Sequence, residues 1–353
     1  MKKIVTISAG ALLAMALIVI IVTQCRKTDK RSTLQKQIDA DNPQHLPSSS
    51  GKTLEMILVT PDDTYKGELK DSLGVYFQKQ CDGVFSPEPR FDLVQMQPNR
   101  FFNSEMFQKH RNVLIIDYKP ANKENNIYQK IDYKSFPQAY FQIIANNKDS
   151  LYSLISAYAP TIIDRFHNNE YRRVLYAYKK LANASAISKM ETTFKFSMML
   201  SEEYSIVNLN NEFAWFRKDY KINQEQRTQN ITIYRTKFTG NGMFSDKKIT
   251  ELRDQVAKKY IAGPTKGSYM GTEVRFPLTQ KAIIIAGVKV METRGLWRLF
   301  NDFMGGSFVN YTFYDTKHDQ FIMIDCFLYA PNQPKRDDLM QMEGIVHSLQ
   351  FEK

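Results

Sequence analysis

The sequence predicts an α+β protein, with a small N-terminal α/β layer followed by a mostly antiparallel sheet with packed helices. Three observations carry this. Between Leu54 and Ala145, short aliphatic runs alternate with amphipathic stretches, the pattern of a sheet with connecting helices. Beyond residue 186, alternating apolar and polar runs dominate and are joined by short polar turns, the pattern of antiparallel hairpins. No internal repeat of fixed period is present.

Taken in order, Leu54–Thr60 (LEMILVT) predicts a strand closed by Pro61. Leu69, Leu73, Tyr76 and Phe77 recur at helical spacing and predict a helix over 64–80. A short strand follows at Phe91–Met96, a helix at 101–110, and buried strands at Asn112–Tyr118 and Ala139–Ala145. The next helix starts near Asp149-Ser150, breaks at Pro160 and resumes to about Lys180, with Ile163, Phe166, Val174, Leu175 and Tyr178 as its apolar stripe. Residues 181–191 read as the junction between an α/β domain at 51–185 and an antiparallel α+β domain at 186–353. In the second, strands are expected at 194–200, 213–218, 230–238 and 269–276. Residues 283–285 and 288–300 pair around Ala286-Gly287, and 307–314 with 321–329 around 315–319. Helices are expected over 246–260, where Ile249, Leu252, Val256 and Tyr260 share a face, and over 336–349.

Ahead of these elements stand Lys2 and Lys3, then an uncharged run from Ile4 to Cys25, then Arg26-Lys27. A basic start and an apolar stretch are the marks of an export signal. Cys25 at its end reads as a lipid attachment site, which makes 1–25 a lipoprotein segment. Gln24 is larger than the small residue such a site favours, so an uncleaved membrane helix is the alternative, since about 20 apolar residues span a bilayer. In both readings the lysines stay inside and the body crosses, placing it on the periplasmic side of the cell envelope. Residues 26–50 lack an apolar period and end in Pro and Ser, the composition of a disordered tether.

The 353 residues carry 48 Lys and Arg against 37 Asp and Glu, a net charge of +11. A basic body can meet anionic envelope polymers or lipid head groups, although Lys-rich helix faces explain the balance as well. Nucleic acid is not an expected partner, because the chain reads as exported and no recognition motif occurs. Besides Cys25, the cysteines are Cys81 and Cys326. Cys326 shares an apolar strand register with Ile322, Ile324 and Leu328 and is expected as a buried free thiol.

No catalytic or cofactor motif stands up. Ser50-Gly51-Lys52-Thr53 imitates the end of a phosphate loop, but Leu46 replaces the required glycine and a strand follows where a helix belongs. The histidines at 45, 110, 167, 318 and 347 have no metal-ligand spacing. Gly267-Ser-Tyr-Met-Gly271 places its serine one position early for a nucleophile elbow. No cofactor and no metal are therefore expected. The densest unusual stretch is 290–308, VMETRGLWRLFNDFMGGSF. Strand alternation puts Glu292 and Arg294 on one face beside Val288, Val290 and Leu296. Such a pair is either an internal ion pair or a polar site in which Arg294 grips an anionic group and Glu292 orients it. Trp297, Asn301, Asp302, Phe303, Gly305 and Gly306 continue into a tip whose glycines permit unusual backbone angles and close approach, a candidate binding loop or a plain hairpin end.

The segments GSYMGTEVRFP (267–277), METRGLWRLFNDFMGGSFVNYTFYD (291–315) and FLYAPNQPKRDDLMQMEGIVHSL (327–349) resemble the bacterial lipoprotein family catalogued as domain-of-unknown-function family 4837. SSSGKTLEMILV (48–59) and KHRNVLIIDY (109–118) are similar to it as well, so that the likeness spans about 48–350. The resemblance implies a lipid-anchored envelope protein and no assigned activity. The expectation is a non-enzymatic lipoprotein that binds a partner protein or an anionic envelope ligand. The alternatives are an enzyme acting on an envelope polymer with Glu292 as acid or base, and a structural adaptor whose sheet edge takes a partner strand.

Overall fold

Residues 41–352 are described by a computed structural model. The expected signal, Cys25 and residues 26–40 of the expected tether lie outside the described residues. From Asn42 to Glu352 the chain forms one compact unit.

The first part of that unit is a five-stranded sheet of β1 (Glu55–Val59), β2 (Asp92–Met96), β3 (Asn112–Tyr118), β4 (Asn126–Ile131) and β5 (Ala139–Ala145), in the order β2-β1-β3-β5-β4. β2, β1, β3 and β5 run parallel, and β4 closes one edge antiparallel to β5. α1 (Glu68–Phe77) and α4 (Lys148–Lys179) cover one face, over Met56, Leu58, Leu114 and Phe141. On the other face Ile57, Val59, Val113 and Ile115 pack with Phe101 of α2 (Pro98–Phe102). Parallel strands covered on both faces need continuous apolar runs, which is what made them visible in the sequence.

Three features depart from the expected layout. The helix expected over 101–110 is two short ones, α2 and α3 (Glu105–Gln108), because the Ser104 hydroxyl accepts from Phe107 N and starts a new turn. Pro160 does not break α4, which runs unbroken through it. Ile155, Ala159, Ile162, Ile163 and Phe166 are all buried, and this packing on both sides of the proline outweighs the lost hydrogen bond. Residues 47–50, expected at the end of a tether, belong to the fold. Phe136 N donates to Pro47 O (2.8 Å), Ser49 N to Phe136 O (3.1 Å), Ser50 N to Lys109 O (3.0 Å) and Arg111 N to Ser50 O (3.1 Å). A chain beginning at Gly51 is therefore expected to be less stable than one beginning at Asn42 by about 1–3 kcal/mol, because these backbone groups lose their partners. Urea midpoints of the two truncations measure it, and equal midpoints would return 42–50 to the tether.

The second part is built on an eight-stranded antiparallel sheet. Its strands are β7 (Ser205–Leu209), β8 (Phe213–Ile222), β9 (Glu225–Lys237), β10 (Tyr269–Thr272), β11 (Thr279–Ile285), β12 (Val288–Phe300), β13 (Gly305–Asp315) and β14 (Gln320–Tyr329). The order is β10-β12-β13-β14-β9-β8-β7, with β11 beside the first half of β12. α5 (Ala184–Phe194) and α7 (Arg336–Val346) cover the face that carries Val290, Val309, Tyr311, Ile324 and Cys326. α6 (Asp246–Tyr260) covers the opposite face at Phe213, Phe308, Met323 and Phe327. Cys326 is buried, and it and Cys81 are free thiols. The stretch expected as a junction is mostly α5, opened by the Asn183 side chain accepting from Ala186 N (3.1 Å). The strand expected at 194–200 shrinks to β6 (Phe196–Ser197), which pairs with β15 (Gln350–Phe351). The one expected over 269–276 stops at Thr272.

α4 and α7 join the two parts. A Cβ on Gly344 of α7 would stand 2.9 Å from the Val174 Cβ of α4, so a glycine there lets the helices approach closely. The start of α7 has no capping side chain of its own. Glu88, from the loop before β2, takes that role by accepting from Lys335 N (2.9 Å) and Arg336 N (2.8 Å).

Candidate functional site

The alternation of β12 turns Glu292 and Arg294 toward α7, on the face the sequence assigned to them. Glu292 is 2% exposed, and the Arg294 side chain is 12% exposed. Arg294 Nε donates to Glu292 Oε1 (2.6 Å), while Nη1 and Nη2 donate to the two oxygens of Glu343 on α7 (2.8 and 2.9 Å). Lys281, opposite Glu292 in the β11–β12 register, approaches Oε1 at 3.3 Å. The Tyr171 hydroxyl of α4 donates to Glu343 Oε2 (3.1 Å), and the His347 ring stacks on Tyr171 at 3.9 Å. Burial pushes the Glu343 carboxyl up, but the Arg294 guanidinium outweighs it and holds the group below the usual carboxylate range. Three of the Arg294 donors are thus occupied by carboxylates, and the network ties the large sheet to α7 and α4.

Arg294 and Glu343 form one wall of a cleft of about 260 Å³ between the two parts. α4 contributes His167 and Asp164, the loop after α1 contributes Cys81 and Asp82, and Arg90 lies just ahead of β2. Lys281 and Arg336 close the other side. Arg336 is held by Asp92 (2.8 Å) and Asp337 (2.9 Å). Arg90 differs, since its Nη1 donates to the Tyr76 carbonyl (3.1 Å) and it has no carboxylate partner among the described residues. Burial, then the charges of Lys281, Arg294 and Arg90, bring the His167 imidazole down to about 3, so it is neutral in ordinary buffers. Burial pushes the Cys81 thiol up to about 11, which makes it a poor nucleophile. Glu292 is not among the lining residues, so the carboxylate expected as acid or base does not face the cleft.

The remaining sequence candidates gather elsewhere. Trp297 is buried, its Nε1 donating to Leu328 O (3.1 Å). Trp297, Asp302, Phe303, Gly305 and Gly306 line a second depression, of about 520 Å³, with Phe85 on its rim. Asn301 takes the positive φ of the tip (61°) and its Nδ2 donates to Gly267 O (3.3 Å). Asp302 accepts from Thr265 Oγ1 (2.7 Å) and Phe303 N (2.6 Å), which hold its carboxyl below the usual range. Phe303 is fully exposed. Gly305 and Gly306 open β13 as extended backbone, without the unusual angles expected of them. The close approach is real: a Cβ on Gly306 would collide with Leu328 O and stand 2.8 Å from Trp297 Nε1.

The stretch singled out in the sequence therefore feeds two places, with Glu292 and Arg294 behind and beside the cleft and residues 297–306 on a loop surface. Arg90, His167 and Lys281 were not found from the sequence, because they come from separate elements and no spacing links them. Glu343 left a faint signal, a carboxylate among Leu339, Met340, Met342 and Ile345 on the final helix. Among the described residues no group of three His, Cys, Asp or Glu side chains is placed to hold a metal ion.

Residues 183–348 match the family described as domain of unknown function DUF4837. Residues 49–179 match a second, the domain of unknown function DUF8532. The likeness to the first family is thus narrower than the 48–350 expected, although it contains the whole ETRGLW to NDFMGG block. No curated protein matches the chain. Among solved structures, the Saccharomyces cerevisiae Ran-binding protein Mog1p is 6% identical with a TM-score of 0.30, over 45% of this chain and 91% of its own. A Bacteroides thetaiotaomicron protein is 11% identical with a TM-score of 0.24, over 45% of this chain and 46% of its own. Human STARD10 is 7% identical with a TM-score of 0.21, over 46% of this chain and 74% of its own. Likeness this slight carries no argument about function.

Proposed function

We propose that the chain is a membrane-anchored cell-envelope lipoprotein, acylated at Cys25, whose body binds a small anionic ligand without transforming it. The anchor rests on the basic start, the apolar run and the terminal cysteine of residues 1–25. Among the described residues no helix is long and apolar enough to cross a membrane, so the anchor reading depends on that N-terminal segment alone. The ligand reading is carried by Arg90, a half-buried guanidinium on the cleft wall with no carboxylate partner. A carboxylate or phosphate group entering the cleft meets its unused donors, then Lys281 and the neutral His167 ring. The chemistry offered is binding, because Cys81 stays protonated and Glu292 is enclosed by Arg294 and Lys281.

Calorimetric titration with inorganic phosphate and with succinate tests the cleft. At least one is expected to bind, and Arg90→Ala to weaken it by about tenfold or more, as loss of a charge-assisted contact does, with an unchanged melting temperature. Failure of both anions, or equal binding by the variant, would sink the ligand reading. Intact-mass analysis of the membrane form tests the anchor separately, since an unmodified chain beginning at Met1 would mean an uncleaved helix.

A further inference from the structure

Phe303 stands fully exposed at the β12–β13 tip, and it is not isolated. Phe85, on the loop between α1 and β2, is 70% exposed, and Val274, on the loop after β10, is 75% exposed. Phe276 packs edge-on against Phe85 at 5.3 Å. Phe85 and Phe303, from two separate loops, thus line one depression with Trp297 and Met304, and Phe276 of a third loop packs on Phe85. A soluble surface does not gather projecting aromatics in one place without something to cover them.

The charges around them are sorted. Arg275 is 73% exposed and Arg298 43%, whereas Glu273, the carboxylate both approach, is 8% exposed. Lys266 is exposed on the loop that Asn301 and Asp302 hydrogen-bond, and it has no carboxylate partner among the described residues. Three cations therefore face outward, against the Asp302 carboxylate, which Thr265 Oγ1 and Phe303 N hold (2.7 and 2.6 Å), and the half-sunk Glu273.

We infer that this three-loop surface docks on an anionic lipid bilayer, with Phe303 and Phe85 entering the interfacial layer and Lys266, Arg275 and Arg298 meeting lipid phosphates. Two observations favour a bilayer over an acidic protein. Phe303 projects fully exposed from its tip with no ring contact, as insertion requires, and the Phe85–Phe276 pair stands on a separate loop. Lys266, Arg275 and Arg298 are exposed on the loops and strand end beside them, where lipid phosphates can be met. The proposal goes beyond ligand binding in the cleft and does not depend on it. It is compatible with either form of N-terminal anchor, and it adds a second, reversible contact that would fix which way the body faces the membrane.

The test places an indole at the tip of the full chain, as Phe303→Trp, and adds vesicles of phosphatidylglycerol or phosphatidylcholine with brominated acyl chains. The native chain, with Trp215 and Trp297, supplies the background. Quenching beyond that background is expected on phosphatidylglycerol and not on phosphatidylcholine. It should fall about fivefold for each of Lys266→Gln and Arg275→Gln, and fall again in high salt. Because only the indole at 303 is read, loss of the N-terminal anchor would not mimic loss of this contact. An indole equally quenched on both lipids would show insertion without head-group recognition and overturn the proposal. One that stays in water on both would overturn it in favour of a protein partner. Since Phe303 touches nothing, the substitution is not expected to disturb folding, and an unchanged melting temperature verifies that.

Discussion

Arg294→Ala is expected to lower the unfolding free energy by about 3–5 kcal/mol, the usual cost of stranding a buried charge. Two carboxylates, Glu292 and Glu343, bond to that one guanidinium and are nearly inaccessible to water, and only Glu292 has a second cation beside it, Lys281 at 3.3 Å. Glu343→Ala should cost less than Arg294→Ala, because Arg294 keeps Glu292 and borders the cleft, where water can reach it. A double-mutant cycle on Arg294 and Glu343, followed by urea unfolding, measures the pair directly. Coupling near zero, with each single variant costing under about 1 kcal/mol, would place the pair in the class of exposed bridges and remove it as the tie between sheet and helix.

Acid should unfold this protein well above the carboxylate range. Burial brings His167 down to about 3 and His347 to about 4, and lowers His110 despite its bond to Glu55 (2.8 Å). Each unfolded imidazole takes up its proton near pH 6.5, about the ordinary value, while the folded one does not. Below that value the unfolded state binds more protons, so stability falls as pH drops, by ~1.4 kcal/mol per pH unit for each histidine until its folded value is reached. Glu343 acts in the same direction further down. Its folded value is depressed, so its contribution is whole above the unfolded carboxyl value of about 4.3 and is lost as pH falls through the folded one. Urea midpoints from neutral pH to about pH 4.5 read the slope, and His347→Gln should remove one histidine's share of it. A profile flat across that interval would mean that the imidazoles reach water in the folded state.

These two effects also mark what could be read from the sequence. The bounds of α6 were legible because Ile249, Leu252, Val256 and Tyr260 recur on one face, of which Ile249 and Val256 are buried. The β11–β12 and β13–β14 hairpins were legible because alternation with a period of two leaves little freedom of register. The same period put Glu292 and Arg294 on one face. β4 was not legible, since its side chains are nearly all exposed and its pairing is set by β5. The partners of Arg294 were not legible either. Glu343 lies far along the chain, and only the packing of α7 over the sheet brings the two together. The buried pairs Arg253–Asp325 and Arg227–Asp338 are further cases, each joining residues from distant elements.

Residues 336–352 have an importance out of proportion to their number. α7 lies against α4 of the first sheet, Glu88 caps its start, and β15 completes a ladder begun at β6. During synthesis, everything up to Pro334 can exist while α4 still presents bare apolar surface where α7 will rest. A chain interrupted before Arg336 would have both sheets and no closure. Completion of the native state thus waits on α7, and until it has packed the polypeptide stays in a form that remains open to unfolding, to degradation and to threading through a narrow channel.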